Sequence, residues 1–302
     1  MSTGYDQPLY ILPFDHRASF ETDLFGFDAA LTADQAAQVS AAKQVVYDGF
    51  KAALAQGAPE AAGGILVDEQ FGAAILADAH LHGYTTCIPV EKSGQPEFQF
   101  DYGDDWQAHI TTMAPTFIKV LVRYNPQGDP DLNRRQATRL RALSDFAHAG
   151  PHRFMFELLV PMTPEQSGMI GGDQARFDQE VRPALMVTAI QELQDAGVEP
   201  DIWKIEGLTR REDCLAVVAA ARRDGRDHVG CIVLGRGSDE AAIVAWLKTA
   251  ADTPGFIGFA IGRTSFWAAL VELRDGRIER SVAVDRIAAR YLEWIRVFKG
   301  IS

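Results

Sequence analysis

Two lysines in this chain stand where lysines are seldom kept. The sequence holds seven, and Lys43, Lys51, Lys92, Lys248 and Lys299 fall in stretches that read as helices or loops, where a solvated surface lysine is expected. Lys119 and Lys204 instead interrupt the apolar runs FIKVLV and IWKIEG. An ammonium in a buried strand loses its hydration, and a partner or a shifted pKa must offset the loss. One outcome is a buried ion pair, with Glu157 or Glu206 as counter-ion to Lys204. The other is an amine nucleophile, because a neutral amine adds to a ketone and desolvation or a second cation depletes the blocking proton. Lys119 and Lys204 fit such a pair, one as nucleophile and one as neighbouring charge. Glu157 lies in RFMFELLVP, a carboxylate within an apolar strand. With a raised pKa it can move protons at the hydroxyl and carbinolamine oxygens of a Schiff-base reaction. As a counter-ion to a buried lysine it has a second role open to it.

A second set of residues reads as an anion site. Gly235-Arg236-Gly237-Ser238 and Gly262-Arg263-Thr264-Ser265 each end an apolar run and precede a helical one. Glycine lets a backbone approach a phosphate, helix N-termini present N–H groups to it, and arginine adds charge and a planar fork. Further polar residues at strand ends are Asp15, His16 and Arg17, then Asp68 and Glu69, then Arg123. The seven histidines are scattered, which disfavours a zinc site with several histidine ligands. Asp15, Asp68 and Glu69 are the remaining magnesium candidates, a weaker reading. No metal and no organic cofactor is expected.

These residues need elements to hold them. Apolar runs at Leu9–Phe14, Gly64–Asp68, Thr85–Val90, Phe117–Arg123, Phe154–Val160, Ile202–Ile205, Val229–Leu234 and Phe256–Ile261 read as eight strands. Helical patterns intervene at Ala33–Ala55, Gly72–His82, Pro130–His148, Ala175–Ala196, Arg211–Arg223 and Ser238–Ala250, with another from Ser265 or Phe266. Glu91–Thr116 reads as an excursion with a short helix, and Val284–Phe298 as a last amphipathic helix. Continuous apolar strands alternating with helices predict a parallel (β/α)8 TIM barrel, one domain over residues 1–302 with an extra C-terminal helix. A doubly wound open sheet would carry a glycine-rich turn after strand one, and Phe14-Asp15-His16-Arg17 has none. In a barrel, chemistry sits at the carboxyl ends of the strands, where the residues above cluster. Alternation puts Lys119, Leu121 and Arg123 on one strand face, and Ile202, Lys204 and Glu206 on another.

A net charge of −12 disfavours nucleic acid and acidic membranes as partners. The N-terminal MSTGYDQPLYILPFDHR has too short an apolar run for a signal peptide, and no run of about 20 apolar residues reads as a membrane span. Cys87, Cys214 and Cys231 form no disulfide or zinc pattern. A cytoplasmic setting is expected. The apolar stripe Ile287, Tyr291, Trp294, Ile295 and Phe298 is expected to pack on the barrel, with a homo-oligomer contact as the alternative.

With these residues in place, the chain resembles the class I aldolases of the tagatose bisphosphate aldolase group. The resemblance rests on FDHR at 14–17, ILVDEQFG at 65–72, FIKVLVRYNP at 117–126, FELLVP at 156–161, WKIEG at 203–207, VLGRGS at 233–238 and AIGRTSFW at 260–267. It is closer still to a domain often fused to the sugar kinase of inositol breakdown and regarded as a 2-deoxy-5-keto-gluconate 6-phosphate aldolase. The resemblance implies Lys204 as the Schiff-base lysine, Glu157 as proton shuttle, Lys119 beside the nucleophile, Asp15 at substrate hydroxyls, and a phosphate held by the two glycine–arginine turns. The bisphosphate aldolases tend to carry DQR where this chain has DHR, so His16 is set to meet a different part of the substrate. The expected activity is cleavage of a phosphorylated keto sugar acid. The rivals are an aldolase for another phosphosugar, such as tagatose bisphosphate or a sulfosugar phosphate, and a non-catalytic phosphosugar-binding partner of a kinase.

Overall fold

The computed structural model describes residues 3–235 and 240–301. Eight parallel strands close into a barrel in sequence order: β1 (Leu9–Pro13), β2 (Gly63–Leu66), β3 (Thr85–Pro89), β4 (Phe117–Arg123), β5 (Arg153–Leu159), β6 (Ile202–Glu206), β7 (Gly230–Leu234) and β8 (Phe256–Ala260). This is the (β/α)8 TIM barrel that the alternation of apolar strands and helices predicts.

The helices after β1 to β4 are α1 (Ala33–Ala55), α2 (Glu69–Leu81), α3 (Trp106–Met113) and α4 (Pro130–Ala149). After β5 come α5 (Pro164–Ile170), α6 (Gln174–Arg176) and α7 (Arg182–Asp195). The last are α8 (Arg211–Ala221), α9 (Glu240–Ala251), α10 (Arg263–Arg274) and α11 (Arg280–Lys299). The reading of Ala175–Ala196 as one helix needs correction. A π-helical segment, Phe177–Val181, joins α6 to α7, and Pro183 sits in the first turn of α7. Proline lacks the N–H that a continuing α-helix requires, so the bond pattern shifts there. Two other short helices, Ser19–Leu24 and α5, carry too few periodic positions to stand out in the sequence. The Ser238–Asp239 cap expected for the ninth helix lies outside the described residues.

Each strand is buried on both faces, and alternation splits its side chains between two cores. Leu9, Ile11, Leu66, Cys87, Phe117, Met155, Ile202, Ile232 and Ala260 fill the inside of the barrel. Tyr10, Leu12, Ile65, Ile88, Ile118, Val120, Phe154, Phe156, Trp203, Ile205 and Phe259 face the helices. The inner set lies low in the barrel, and the inward positions two residues further on carry the polar groups: Lys119 after Phe117, Glu157 after Met155, and Lys204 after Ile202. Helix starts are fixed by side-chain caps, with capping boxes at Thr32 and Thr163 and Asp129 ahead of Pro130.

The last helix packs on the barrel as its stripe predicts. Tyr291 donates to the Tyr10 carbonyl at 2.6 Å, and Trp294 Nε1 donates to Ser265 Oγ at 3.0 Å. No helix among the described residues is long and apolar enough to cross a membrane. All three cysteines are free and buried.

Candidate active site

A cavity opens at the carboxyl ends of the strands. Its wall includes Asp15, His16 and Arg17 after β1, Glu91 to Gln95 after β3, and Lys119, Leu121 and Arg123 from β4. Glu157 from β5, Lys204 from β6, Gly235 after β7 and Gly262 after β8 complete the set that matters here.

Register brings the central pair together. β5 and β6 pair with Glu157 opposite Lys204, and both side chains turn inward. Glu157 Oε2 lies 2.8 Å from Lys204 Nζ and 3.0 Å from Lys119 Nζ, so one carboxylate oxygen bridges two ammonium groups. Lys119 has two further counter-ions, Asp15 at 3.0 Å and Glu91 at 2.7 Å. The Lys119 side chain is 2% exposed and that of Lys204 is 5% exposed. The ion pair expected as one outcome for Lys204 is present, and the pair lies inside the cavity. The partner is Glu157 and not Glu206, which instead accepts from the Val160 N–H and faces Arg182.

Electrostatics assign different states to these groups. Loss of water pulls the Lys119 pKa down, but Asp15, Glu157 and Glu91 outweigh it and hold the pKa well above the ordinary lysine value. Lys119 is therefore a fixed cation. Burial raises the Glu157 pKa, yet Lys119 and Lys204 more than offset this, so the carboxyl sits below its ordinary value. This corrects the expected raised pKa: two neighbouring cations stabilise the ionised form of Glu157. Asp15 is lowered as well, with Lys119 the chief opponent of its burial. Glu91 goes the other way. Burial and Asp15 raise it against the pull of Lys119, and its Oε2 is buried without a hydrogen-bond partner.

His16 is held down to about 4 by burial and by the Lys204 and Lys43 cations, against the opposing pull of Asp15. Its ring is partly buried and neutral near pH 7, with Nδ1 4.0 Å from Asp15 Oδ1 and no hydrogen bond to it. Arg17 is engaged, donating to Asp101 at 2.6 Å and to the Glu91 carbonyl at 2.9 Å, which ties the strand-one turn to the excursion after β3. Arg123 lies at the mouth, its guanidinium donating over a long 3.4 Å to the Gln95 carbonyl.

Three of the sequence candidates need a different account. Asp68 does not line the cavity. Its carboxylate caps α2 through the Phe71 N–H at 3.0 Å and pairs with buried Lys43. Arg263 does not itself line the cavity: its Nη1 donates at 3.3 Å to Oγ of Ser19 on the cavity's edge and lies 3.6 Å from Asp23, with its guanidinium over Trp267. It is the first residue of α10, and the Ser19–Leu24 segment offers it the Asp23 carboxylate. Gly262 lines the cavity, but its smallness serves the strand-one turn: a Cβ there would meet the Pro13 carbonyl at 2.4 Å and His16 Cε1 at 3.0 Å. Arg236 and Gly237 lie outside the described residues.

Two residues, one in the site and one behind it, escaped the sequence reading. Glu91 directly follows the third apolar strand, in the position that Asp15 holds after the first. Lys43 is fully buried, contrary to the solvated position expected for it. Its spacing from Val39, Val46 and Phe50 would have placed it on the buried face of α1. Among the described residues, no group of three His, Cys, Asp or Glu is arranged to hold a metal ion.

The fold and cavity define an eight-stranded β/α barrel with a lysine–carboxylate cluster at its mouth. The chain belongs to the family described as "Uncharacterized protein conserved in bacteria (DUF2090)", whose model matches residues 3–301. No curated protein matches the sequence. A structural-genomics crystal structure from Corynebacterium glutamicum superposes with a TM-score of 0.57 at 16% identity, covering 97% of this chain and 88% of that one. An archaeal fructose 1,6-bisphosphate aldolase gives 0.56 at 12% identity, covering 98% and 95%. A Schiff-base-forming fructose-1,6-bisphosphate aldolase gives 0.53 at 11%, covering 95% and 94%. At these identities the likeness is one of fold.

Proposed function

We propose that this protein is a class I aldolase whose Schiff-base lysine is Lys204, acting on a phosphorylated keto sugar acid. The observation that carries this reading is the single Glu157 oxygen shared between Lys204 and Lys119 inside the cavity. An amine nucleophile needs a base close enough to take its proton, and Glu157, 2.8 Å from Lys204 Nζ and beside the Lys119 cation, is placed for that role. The fold likeness to two fructose-bisphosphate aldolases, one of them described as Schiff-base-forming, supports the same class.

The steps follow from that geometry. Lys204 gives a proton to Glu157 and its nitrogen attacks the substrate ketone. The carbinolamine takes the proton back from Glu157 at oxygen and loses water, leaving an iminium. The neighbouring carbon–carbon bond breaks, its electron pair moves to the iminium as an enamine, and the hydroxyl proton of the departing aldehyde goes to Glu157. Protonation of the enamine and hydrolysis release the second product and restore Lys204. Lys119 holds Glu157 and Asp15 ionised between steps, and Asp15 faces the substrate hydroxyls. The phosphate is assigned to the cavity wall at Gly235 and Gly262, after β7 and β8; Arg236, the cation the sequence offers for it, lies outside the described residues.

The specific reaction is cleavage of 2-deoxy-5-keto-gluconate 6-phosphate to dihydroxyacetone phosphate and malonate semialdehyde. A turnover panel tests it, setting that substrate against tagatose bisphosphate and a sulfosugar phosphate, with dihydroxyacetone phosphate measured by a coupled dehydrogenase. Preference for the sugar acid supports the assignment. Faster turnover of either rival replaces it.

A further inference from the structure

Behind the cavity wall lies a buried charge that the proposed steps do not use. Lys43, on α1, is fully buried. Its ammonium donates to the Phe14 carbonyl at 2.8 Å and forms a short contact with Asp68 Oδ2. The other Asp68 oxygen caps α2 through Phe71. The same ammonium lies 4.8 Å from the Phe20 ring centroid and 5.6 Å from that of Phe71. One side chain thus joins α1, the end of β1, the Ser19–Leu24 helix, the end of β2 and the start of α2.

Phe14 sits in the wall-forming segment, between Pro13 and Asp15, which both line the cavity. Asp15, His16, Arg17, Ala18 and Ser19 follow it in sequence and all line the cavity. Phe14 also donates its N–H to the Leu66 carbonyl at 2.8 Å, so both of its backbone polar groups are held from outside the cavity. Burying a charged pair is costly compared with burying apolar side chains of similar volume. A site that must hold a carboxylate within a fraction of an ångström gives such a pair a use.

We infer that Lys43 is a positioning residue: through the Phe14 carbonyl and Asp68 it sets the Asp15-His16-Arg17 wall, and so the contact of Asp15 with Lys119. The inference rests on the aldolase reading for its kinetic arm only. The Asp15–Lys119 contact supplies an arm that does not depend on that reading, and the His16 imidazole, whose surrounding charges are Asp15, Lys204, Lys43 and Glu157, reports on the same wall.

The test uses two variants of the full chain, Lys43→Gln and the double variant Lys43→Met/Asp68→Asn. In the double variant asparagine keeps an α2 cap and no buried charge is left unpaired. Folding is checked by circular dichroism, the His16 midpoint by NMR, and turnover with the substrate selected by the panel. Expected is a folded protein whose His16 midpoint moves up from about 4 toward 6.5, with a fall of about tenfold or more in kcat/KM carried mainly by kcat. A folded variant with kcat within about twofold of the parent overturns the inference. Failure of both variants to fold also overturns it, since the pair is then a requirement of the barrel. If the parent traps no substrate at Lys204, the aldolase reading fails, and a crystal structure of the double variant decides the inference: an unchanged 3.0 Å contact of Asp15 with Lys119 overturns it.

Discussion

Glu157 and Lys204 are register partners on adjacent parallel strands, and Glu157 Oε2 lies 2.8 Å from the lysine Nζ. The same oxygen is 3.0 Å from Lys119. Glu157→Gln keeps the shape and removes the base. The expected result is a fall in kcat of about 10²–10⁴-fold with the fold intact, the range for loss of a positioned acid–base group. Steady-state kinetics beside circular dichroism check it.

Lys119 is the counter-charge for Asp15, Glu91 and Glu157 together. Lys119→Met leaves three buried carboxyls without their common cation, and destabilisation of about 3 kcal/mol or more is expected from breaking a buried pair. Chemical denaturation measures it. The variant also lets the Glu157 pKa rise, so the acid limb of its pH–rate profile moves to higher pH.

His16 predicts the direction of acid sensitivity. Its folded pKa, about 4, lies below the ordinary 6.5, so the unfolded chain binds the extra proton between those values. Stability from this group is present above pH 6.5 and is lost as pH falls toward 4. His16→Asn removes that contribution, and its unfolding free energy falls less steeply than the parent's over the same window. Equal slopes in the two proteins contradict the assignment.

Gly262 has no room for a side chain. A Cβ would lie 2.4 Å from the Pro13 carbonyl. Gly262→Ala is expected to push the strand-one turn away at a cost of about 1–3 kcal/mol, the usual range for overpacking. Thermal unfolding and kcat/KM are both expected to drop, in contrast to Gly276→Ala at an exposed turn, which strains only its own backbone.

The barrel was legible because its strands are buried on both faces and read as unbroken apolar runs between amphipathic helices. The lysines that break those runs were visible for the same reason: Lys119 and Lys204 are exceptions to a clear pattern. What stayed hidden depends on direction and not on pattern. Asp68 and Arg263 sit at strand ends, yet α2 capping draws Asp68 outward and the Ser19–Leu24 helix draws Arg263 aside. The lowered Glu157 pKa required knowing that one oxygen meets two cations, which spacing in three separate strands cannot reveal. Glu91 was within reach, since it follows an apolar strand as Asp15 does.

The most direct test of the account is borohydride reduction during turnover, with peptide mass spectrometry to locate the adduct. The account predicts one substrate-derived label, on Lys204, absent from Lys204→Met. A label on Lys119 or any other lysine, or none while substrate is being consumed, would contradict it.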